Sequence, residues 1–551
     1  MTNDTVCFMR RSVKLSSLHL VAVLAGALMA VPASAENDPD LNRAGRLEWF
    51  RDQGFGMFIH WSVDSQLGSV ISHSLVGASP DYLDRFFNGL PKTFNPRKFD
   101  PGDWATLAQL AGMRYVVFTA KHHSGFCMFD TATTGFGIMH TPFRRDIAAD
   151  VLKAFRDQGL AAGLYFSPDD FWWLYQNGKT IQRGTPEVQP RNNPGLLAYD
   201  RAQVRELMSR YGKVDVVFFD GEAQGLREVA WELQPDVVVT RGALQTPEQY
   251  VPGVPLEGAW EANLTMGTQW QYKPTNEVYK SGGQLIATLI ETRAKGGNLL
   301  LNVGPKPDGE LPIEQEERLR EVALWMFINS EMIYSVRPWV VTNENDYWFT
   351  RKKDEDTLYV AVAERWKYGA WKEIVLKTVR ATAETQASVL SQSDKVLEYQ
   401  PGVIPQTTFR QAADGLHVRA MLAQRIYNDR KWPDPVVIKL THVQPAIKPP
   451  RVSTGEPGWN ATDRAVTLQG EIGDLGDATA LEAGFEYRSV TGMDAMERTG
   501  AWTATALVRR TAAGAFTGTL KGLAPGTYEV RAMVKHPLLT FYGLDRMLVV
   551  K

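Results

Sequence analysis

The chain reads as an α/β protein in three parts: a parallel TIM-like (β/α) barrel, an all-β unit of about 100 residues, and a further immunoglobulin- or fibronectin-like β unit. Three observations predict this. Short apolar runs alternate with helix-period segments over residues ~45–310, which fits a parallel barrel better than a sandwich. The texture then turns to short strands with polar turns. Finally, Leu523-Ala524-Pro525-Gly526-Thr527-Tyr528 resembles the turn-then-strand of small sandwich domains.

The barrel strands are read at Met57–Trp61, Tyr115–Ala120, Ala161–Phe166, Val214–Phe219, Val237–Thr240 and Asn298–Val303. Their near-continuous apolar character is expected where both faces of a sheet are covered. Six strands are clear, and a full set of eight is not evident. An open doubly wound sheet is the competing arrangement, but no G-x-G-x-x-G or P-loop supports a nucleotide-binding form of it. Between strands, Trp104, Leu107, Ala108 and Ala111 share one helical face. Ile147, Val151 and Phe155 mark another helix. Ile313–Tyr334 reads as a long helix whose start carries Glu314, Glu316 and Glu317, suited to a helix N-terminus. Strands follow at Tyr347–Arg351, Thr357–Ala363, Glu373–Val379 and Val436–Leu440, then a stiff linker at Pro445, Pro449 and Pro450. The last unit carries Val466–Gln469, Gly484–Arg488, Phe516–Leu520 and Tyr528–Val534. The expected parts are therefore 1–35, 36–340, 341–445 and 446–551.

Residues 1–35 read as a signal peptide: Arg10, Arg11 and Lys14, an apolar Leu20–Val31, and Ala33-Ser34-Ala35 as the cleavage site. The expected mature protein is exported, to a periplasm or beyond, with no membrane span. Net charge is −2 from 60 Lys plus Arg and 62 Asp plus Glu, so nothing in the composition favours nucleic acid. Cys7 leaves with the signal, and Cys127 is then a lone, buried thiol with no zinc pattern around it.

Barrel chemistry sits where strands end. The polar residues expected there are His60-Trp61, Lys121-His122-His123, Tyr165 with Ser167, Asp169 and Asp170, Asp220, Arg241, and Glu257 with Glu261. Converging carboxylates, histidines, an arginine and aromatics suit sugar hydrolysis, in which two carboxyl groups break the bond. Asp220 follows the apolar Val214–Phe219 and precedes Gly221, so its carboxylate would emerge at the rim; the plain alternative is a turn-starting Asp. His122 and His123 point to opposite faces of a regular strand, which favours hydroxyl binding over a shared metal. Asp169 and Asp170 also suit a solvated turn or a helix cap.

Together these residues resemble the α-L-fucosidases of glycoside hydrolase family 29 over about residues 45–340. The resemblance rests on Phe55-Gly56-Met57-Phe58-Ile59-His60-Trp61, Phe94-Asn95-Pro96, Lys121-His122-His123 with Gly125-Phe126, Gly163–Ser167 and Phe219-Asp220-Gly221. Trp260-Glu261 with Trp270 and Tyr272, and Gly296–Pro305, complete it. It implies a distorted barrel with a β-sandwich behind it, and exo-acting, retaining hydrolysis of terminal α-L-fucosyl groups on glycans. Asp220 would be the nucleophile and Glu261 the acid/base, with Glu257 in reserve. His60, Trp61, His122, His123, Tyr165, Phe218, Arg241 and Trp270 would line the sugar site. No metal or cofactor is implied. The chain departs from the family at Ser124, where many members have Asp, and at Phe218, where many have Trp. Ser79–Phe87 also lacks the Glu-Trp-Tyr element of many members. That loss motivates one alternative, a non-catalytic fucose-binding barrel; a second alternative keeps the chemistry and changes the sugar to a galactose-configured one.

Overall fold

The computed structural model describes residues 40–426, 434–490 and 500–551, so the signal-peptide expectation lies outside the described residues. Seven parallel strands form the first sheet: β1 (Phe55–Ile59), β2 (Tyr115–Lys121), β3 (Ala161–Phe166), β4 (Val216–Phe219), β5 (Val238–Val239), β6 (Glu261–Thr265) and β7 (Asn298–Val303). Their spatial order is β5-β4-β3-β2-β1-β7-β6, a curled TIM-like sheet. Residues 245–248, which follow β5, pair with the other edge at Gln245↔Trp260 and Glu248↔Asn263.

Strand alternation divides the apolar residues between two cores. Met57, Ile59, Val116, Phe118, Leu299 and Leu301 pack outward beneath the helices. Phe58, Tyr115, Val117, Tyr165, Val216, Phe218 and Leu300 fill the interior. The six strands read from sequence are present, Ala161–Phe166 and Asn298–Val303 with the bounds expected and the other four with shifted ends. β6 is an addition: Glu261-Ala262-Asn263-Leu264-Thr265 is wholly buried yet lacks the β-branched run that marks the others.

The surrounding helices start where their caps dictate. Asp100 accepts hydrogen bonds from the Gly102 and Asp103 amides ahead of Pro101–Leu110. Asp146 accepts from the Ala149 amide ahead of Ile147–Asp157, which buries Ile147, Val151 and Phe155 on one face. The long helix runs Ile313–Asn329 and gives way to a 3-10 turn at Ser330–Met332, short of the Tyr334 expected.

Behind the barrel lie antiparallel sheets. A five-stranded sheet runs in the order Val379–Val389, Val436–Pro445, Thr357–Val362, Tyr347–Lys352, Val336–Glu344. It shares a core with a three-stranded sheet: Phe349, Leu358, Val360 and Leu440 meet Ile374, Leu376, Leu416 and Val418. Its other face joins the barrel, because Tyr359, Ala361 and Val437 belong to the barrel's outer core. Arg337 adds ion pairs to Glu48 at 2.5 Å and Asp52 at 2.8 Å. The last residues form two further sheets around Val466, Leu468, Phe485, Phe516, Val530 and Val534.

Candidate active site

The interior of the barrel is closed at the N-terminal ends of its strands. Tyr115 lies there and donates its hydroxyl to Glu261 Oε2 at 2.5 Å. Two glycines of the sequence motifs make room for this floor. A Cβ on Gly56 would come within 2.4 Å of the Tyr115 ring, and one on Gly297 within 2.5 Å of Trp260.

This placement corrects the reading of Glu261. It is the first residue of β6, paired with Asn298 at the start of β7, whereas Asp220 follows the last residue of β4. Glu261 is 0% exposed. Burial pushes its carboxyl up to about 7, against the lowering pull of the Tyr115 hydroxyl. A carboxyl sealed into the floor is not placed to protonate a leaving group in the mouth. Glu257 is exposed on the loop that enters β6, at the same end. The physical reason is that β6, which carries no β-branched run, begins at Glu261 instead of ending there.

At the opposite end the predicted residues converge on Asp220. Tyr165 donates its hydroxyl to Asp220 Oδ2 at 2.7 Å, and Arg241 Nη1 donates to Oδ1 at 2.9 Å. His123 Nε2 stands 3.5 Å from Oδ2. Burial alone would raise the Asp220 carboxyl, but Arg241, Arg183 and the Tyr165 hydroxyl outweigh it and hold the group well below the usual carboxylate range. Asp220 is therefore an anion at neutral pH, with its side chain 19% exposed.

The histidines are neutral, and their partners fix which nitrogen carries the proton. Asn302 Nδ2 donates to the Trp270 carbonyl at 2.5 Å, which turns Asn302 Oδ1 toward His60 Nδ1 at 2.6 Å. His60 therefore carries its proton on Nδ1 and leaves Nε2 as a lone pair. Burial lowers its pKa to about 4. Ser167 donates its single hydroxyl proton to the Asp169 carbonyl at 2.9 Å, so the same oxygen accepts from His123 Nδ1 at 2.5 Å. The Nε2 lone pair of His123 thus faces an Asp220 oxygen, two acceptors without a donor between them. His122 holds Ser72 Oγ at 2.8 Å and stacks flat on Tyr165, with centroids 5.4 Å apart. Burial drives both imidazoles well below their ordinary pKa.

Trp270 lies 4.9 Å from the His60 ring, as a wall of the site. Two expected contacts fall elsewhere. Trp61 continues the outward series Met57, Ile59, and packs against Phe94, Phe99 and Trp104 in the outer core. Phe218 is 1% exposed, and the Arg241 guanidinium covers its face at 4.6 Å, so it supports Arg241. Lys121 points beneath the site, where Asp170 (3.0 Å) and Asp200 (2.7 Å) hold its ammonium in full burial. Asp170 also caps the helix Phe171–Gln176 through the Trp173 amide. Cys127 is buried, as expected. Among the described residues, the ligand atoms of His122, His123 and Asp220 lie within 4.8 Å of one another, close enough for one ion. Hydrogen bonds with Ser72, Ser167, Tyr165 and Arg241 already orient the three side chains.

Comparison with known proteins gives the family. The family model described as alpha-L-fucosidase matches residues 30–331. The chain belongs to the α-L-fucosidase family. Its members are glycoside hydrolases, and this chain is one. Plasma alpha-L-fucosidase of Rattus norvegicus is 28% identical over 394 residues, 64% of this chain and 84% of the relative. Among solved structures, alpha-L-fucosidase isoenzyme 1 from Paenibacillus thiaminolyticus superposes with a TM-score of 0.59 at 28% identity, covering 72% of this chain and 98% of that one. The Thermotoga maritima alpha-fucosidase in complex with fucose gives 0.56 at 26% identity, covering 71% and 96%.

The sequence reading passed over Asn302, Ser72, His73, Arg183 and Glu248. Asn302 lay inside a quoted motif but in an apolar strand. The others sit on loops whose reach follows from the fold rather than from any local pattern.

Proposed function

We propose that this fucosidase is exo-acting and retaining, that it releases terminal α-L-fucose from glycans, and that Asp220 is its nucleophile. The observation that carries the reading is Asp220 itself: an ionised carboxylate at the strand C-termini, among neutral histidines that present lone pairs to hydroxyl donors. An Asp220 oxygen attacks the anomeric carbon as the glycosidic C–O bond breaks, and a carboxylic acid gives its proton to the departing oxygen. Water then attacks the same carbon, its proton passes to the carboxylate just formed, and Asp220 leaves. Side chains nearly withdrawn from solvent around one carboxylate favour a chain-end sugar over an internal one. Retention of Asp220 within this setting argues against a purely binding protein.

The acid/base belongs to the loops of the mouth, in place of Glu261. Glu248 is favoured by one contact: its Oε2 takes Arg241 Nη2 at 2.8 Å, while Nη1 holds Asp220. Two carboxylates on one guanidinium suit the ~5–5.5 Å separation of a retaining pair. Glu277, on the loop after Trp270, is the comparison; its Oε1 accepts from the Thr268 amide at 2.7 Å. The test pairs Asp220→Gly, Glu248→Gln and Glu277→Gln on an oligosaccharide and on a fucoside with an activated leaving group. Loss of the nucleophile removes turnover of both substrates, by ~10³-fold or more. The acid/base variant loses the oligosaccharide, keeps formation of the fucosyl-enzyme from the activated substrate, and yields fucosyl azide of retained configuration with added azide. If Glu277→Gln behaves this way and Glu248→Gln does not, the role belongs to Glu277.

Export through residues 1–35 is part of the same proposal, since fucosylated glycans lie outside the cytoplasm. N-terminal sequencing of the secreted or periplasmic protein should begin at Glu36; an intact Met1 on active protein would refute it.

A further inference from the structure

Besides Arg241, a second cation acts on Asp220, and no step above gives it a contact with the substrate. Arg183 lies on the long loop after β3, outside every motif that marks the family in this sequence. Its Nε donates to Asp169 Oδ2 at 2.6 Å. Asp169 in turn lies 3.9 Å from His123 Nδ1, and a Cβ on Gly221 would come within 3.1 Å of its other oxygen. Asp169 thus fixes Arg183 next to the nucleophile. Among the described residues, the two terminal nitrogens of Arg183 have no hydrogen-bond partner, and the side chain is 22% exposed. His73 comes from the loop after β1, with its ring 5.5 Å from that of His123 and 6.3 Å from that of His122. The Arg183 charge acts on Asp220, His73, His122 and His123 alike, which places it within the same cluster.

A guanidinium anchored through Nε alone keeps a planar fork of four N–H donors for something else. Asp169 faces it on one side only. Asp169 Oδ2 is the one acceptor that the guanidinium engages among the described residues. The group that fits it is an oxygen acceptor arriving from solution, and in this mouth that is a sugar hydroxyl.

We propose that Arg183 is a recognition residue of this enzyme, hydrogen-bonding a ring hydroxyl of the bound fucosyl group, with His73 beside it at the edge of the same pocket. This rests on the fucosidase reading above. It also gives the chain its own source of hydroxyl contacts where the Glu-Trp-Tyr element is missing.

The test uses the full-length enzyme, an aryl α-L-fucoside and its monodeoxy analogues lacking one ring hydroxyl at a time. Turnover of the parent fucoside by wild type is the control; its absence defeats the fucosidase reading and is distinct from failure of the present proposal. Arg183→Gln is expected to lower kcat/KM on the parent by about tenfold or more, since an unpaired site donor or hydroxyl is costly. The same substitution should make little difference on one particular deoxy analogue, because the hydroxyl it serves is already gone. A melting curve confirms folding, and Arg183→Lys should recover part of the loss. Equal losses on every analogue would assign Arg183 to bracing Asp169 and overturn the proposal, as would wild-type turnover by Arg183→Gln. A loss seen only with oligosaccharides, and not with the aryl fucoside, would place the contact on the neighbouring sugar and also overturn it.

Discussion

Glu261 and Trp61 show how one position on a strand separates a structural residue from a chemical one. Glu261 ionises against its surroundings: its folded pKa of about 7 lies above the ordinary 4.5. The protonated form fits the fold, so its contribution to stability is complete below pH 4.5 and is lost as pH rises through 7. Glu261→Gln does not ionise and keeps an acceptor for Tyr115. We expect it to retain activity within about tenfold, and to gain stability over wild type at pH 8.5 but not at pH 4.5. The gain is at most roughly 3 kcal/mol, at about 1.4 kcal/mol per pH unit. Thermal melting at the two pH values, with turnover of an aryl fucoside, checks both halves. A loss of ~10³-fold in turnover would return Glu261 to catalysis. Trp61→Ala should cost about 3–5 kcal/mol through the cavity it leaves, with KM unchanged in the folded fraction; chemical denaturation and steady-state kinetics measure the two effects.

At the scale of elements, the loops after β2 and β3 are tied together under the pocket. Lys121 sits between Asp170 and Asp200, all three fully buried. Lys121→Met would leave two carboxylates facing each other without a cation. The expected cost is about 3–5 kcal/mol, read as a fall in melting temperature. Activity should fall as well, because His122 and His123 follow Lys121 directly. The sequence shows why most barrel strands were legible and one was not. Tyr115–Ala120 and Asn298–Val303 carry runs of consecutive apolar residues (Val116-Val117-Phe118 and Leu299-Leu300-Leu301), whereas β6 alternates Glu261, Asn263 and Thr265 with only two apolar side chains and has only five residues. Glu261 Oε2 is held by Tyr115 and Asn263 by the carbonyls of residues 246 and 247, and those partners exist only once the sheet has formed. The site was legible in the same measure. Residues at strand ends were found, whereas Arg183, His73 and Glu248 depend on loop paths that no periodicity encodes.

Over the whole molecule, chemistry and attachment occupy opposite ends of the barrel. Arg293 is buried and donates to the Ile333 carbonyl at 2.9 Å and to Asn298 Oδ1 at 2.9 Å, near the floor. The five-stranded sheet covers the barrel with Tyr359, Ala361 and Val437. The change of texture after residue 334 announced that sheet, but not that one of its faces completes the barrel core. A chain ending at residue 334 should therefore fail to give a stable barrel, even though every proposed catalytic residue remains in it. Circular dichroism and limited proteolysis of that truncation test the point; a cooperatively melting, active fragment would contradict it.

The central claim is that Asp220 carries the fucosyl group through the reaction. It is tested most directly by incubating the enzyme with 2-fluoro-fucosyl fluoride, digesting it, and locating the added fluorofucosyl mass. The account predicts one label, on the peptide that contains Asp220 and on that residue, with no label in Asp220→Asn. A label on another carboxylate, or turnover that inverts the anomeric centre without a covalent adduct, would contradict it.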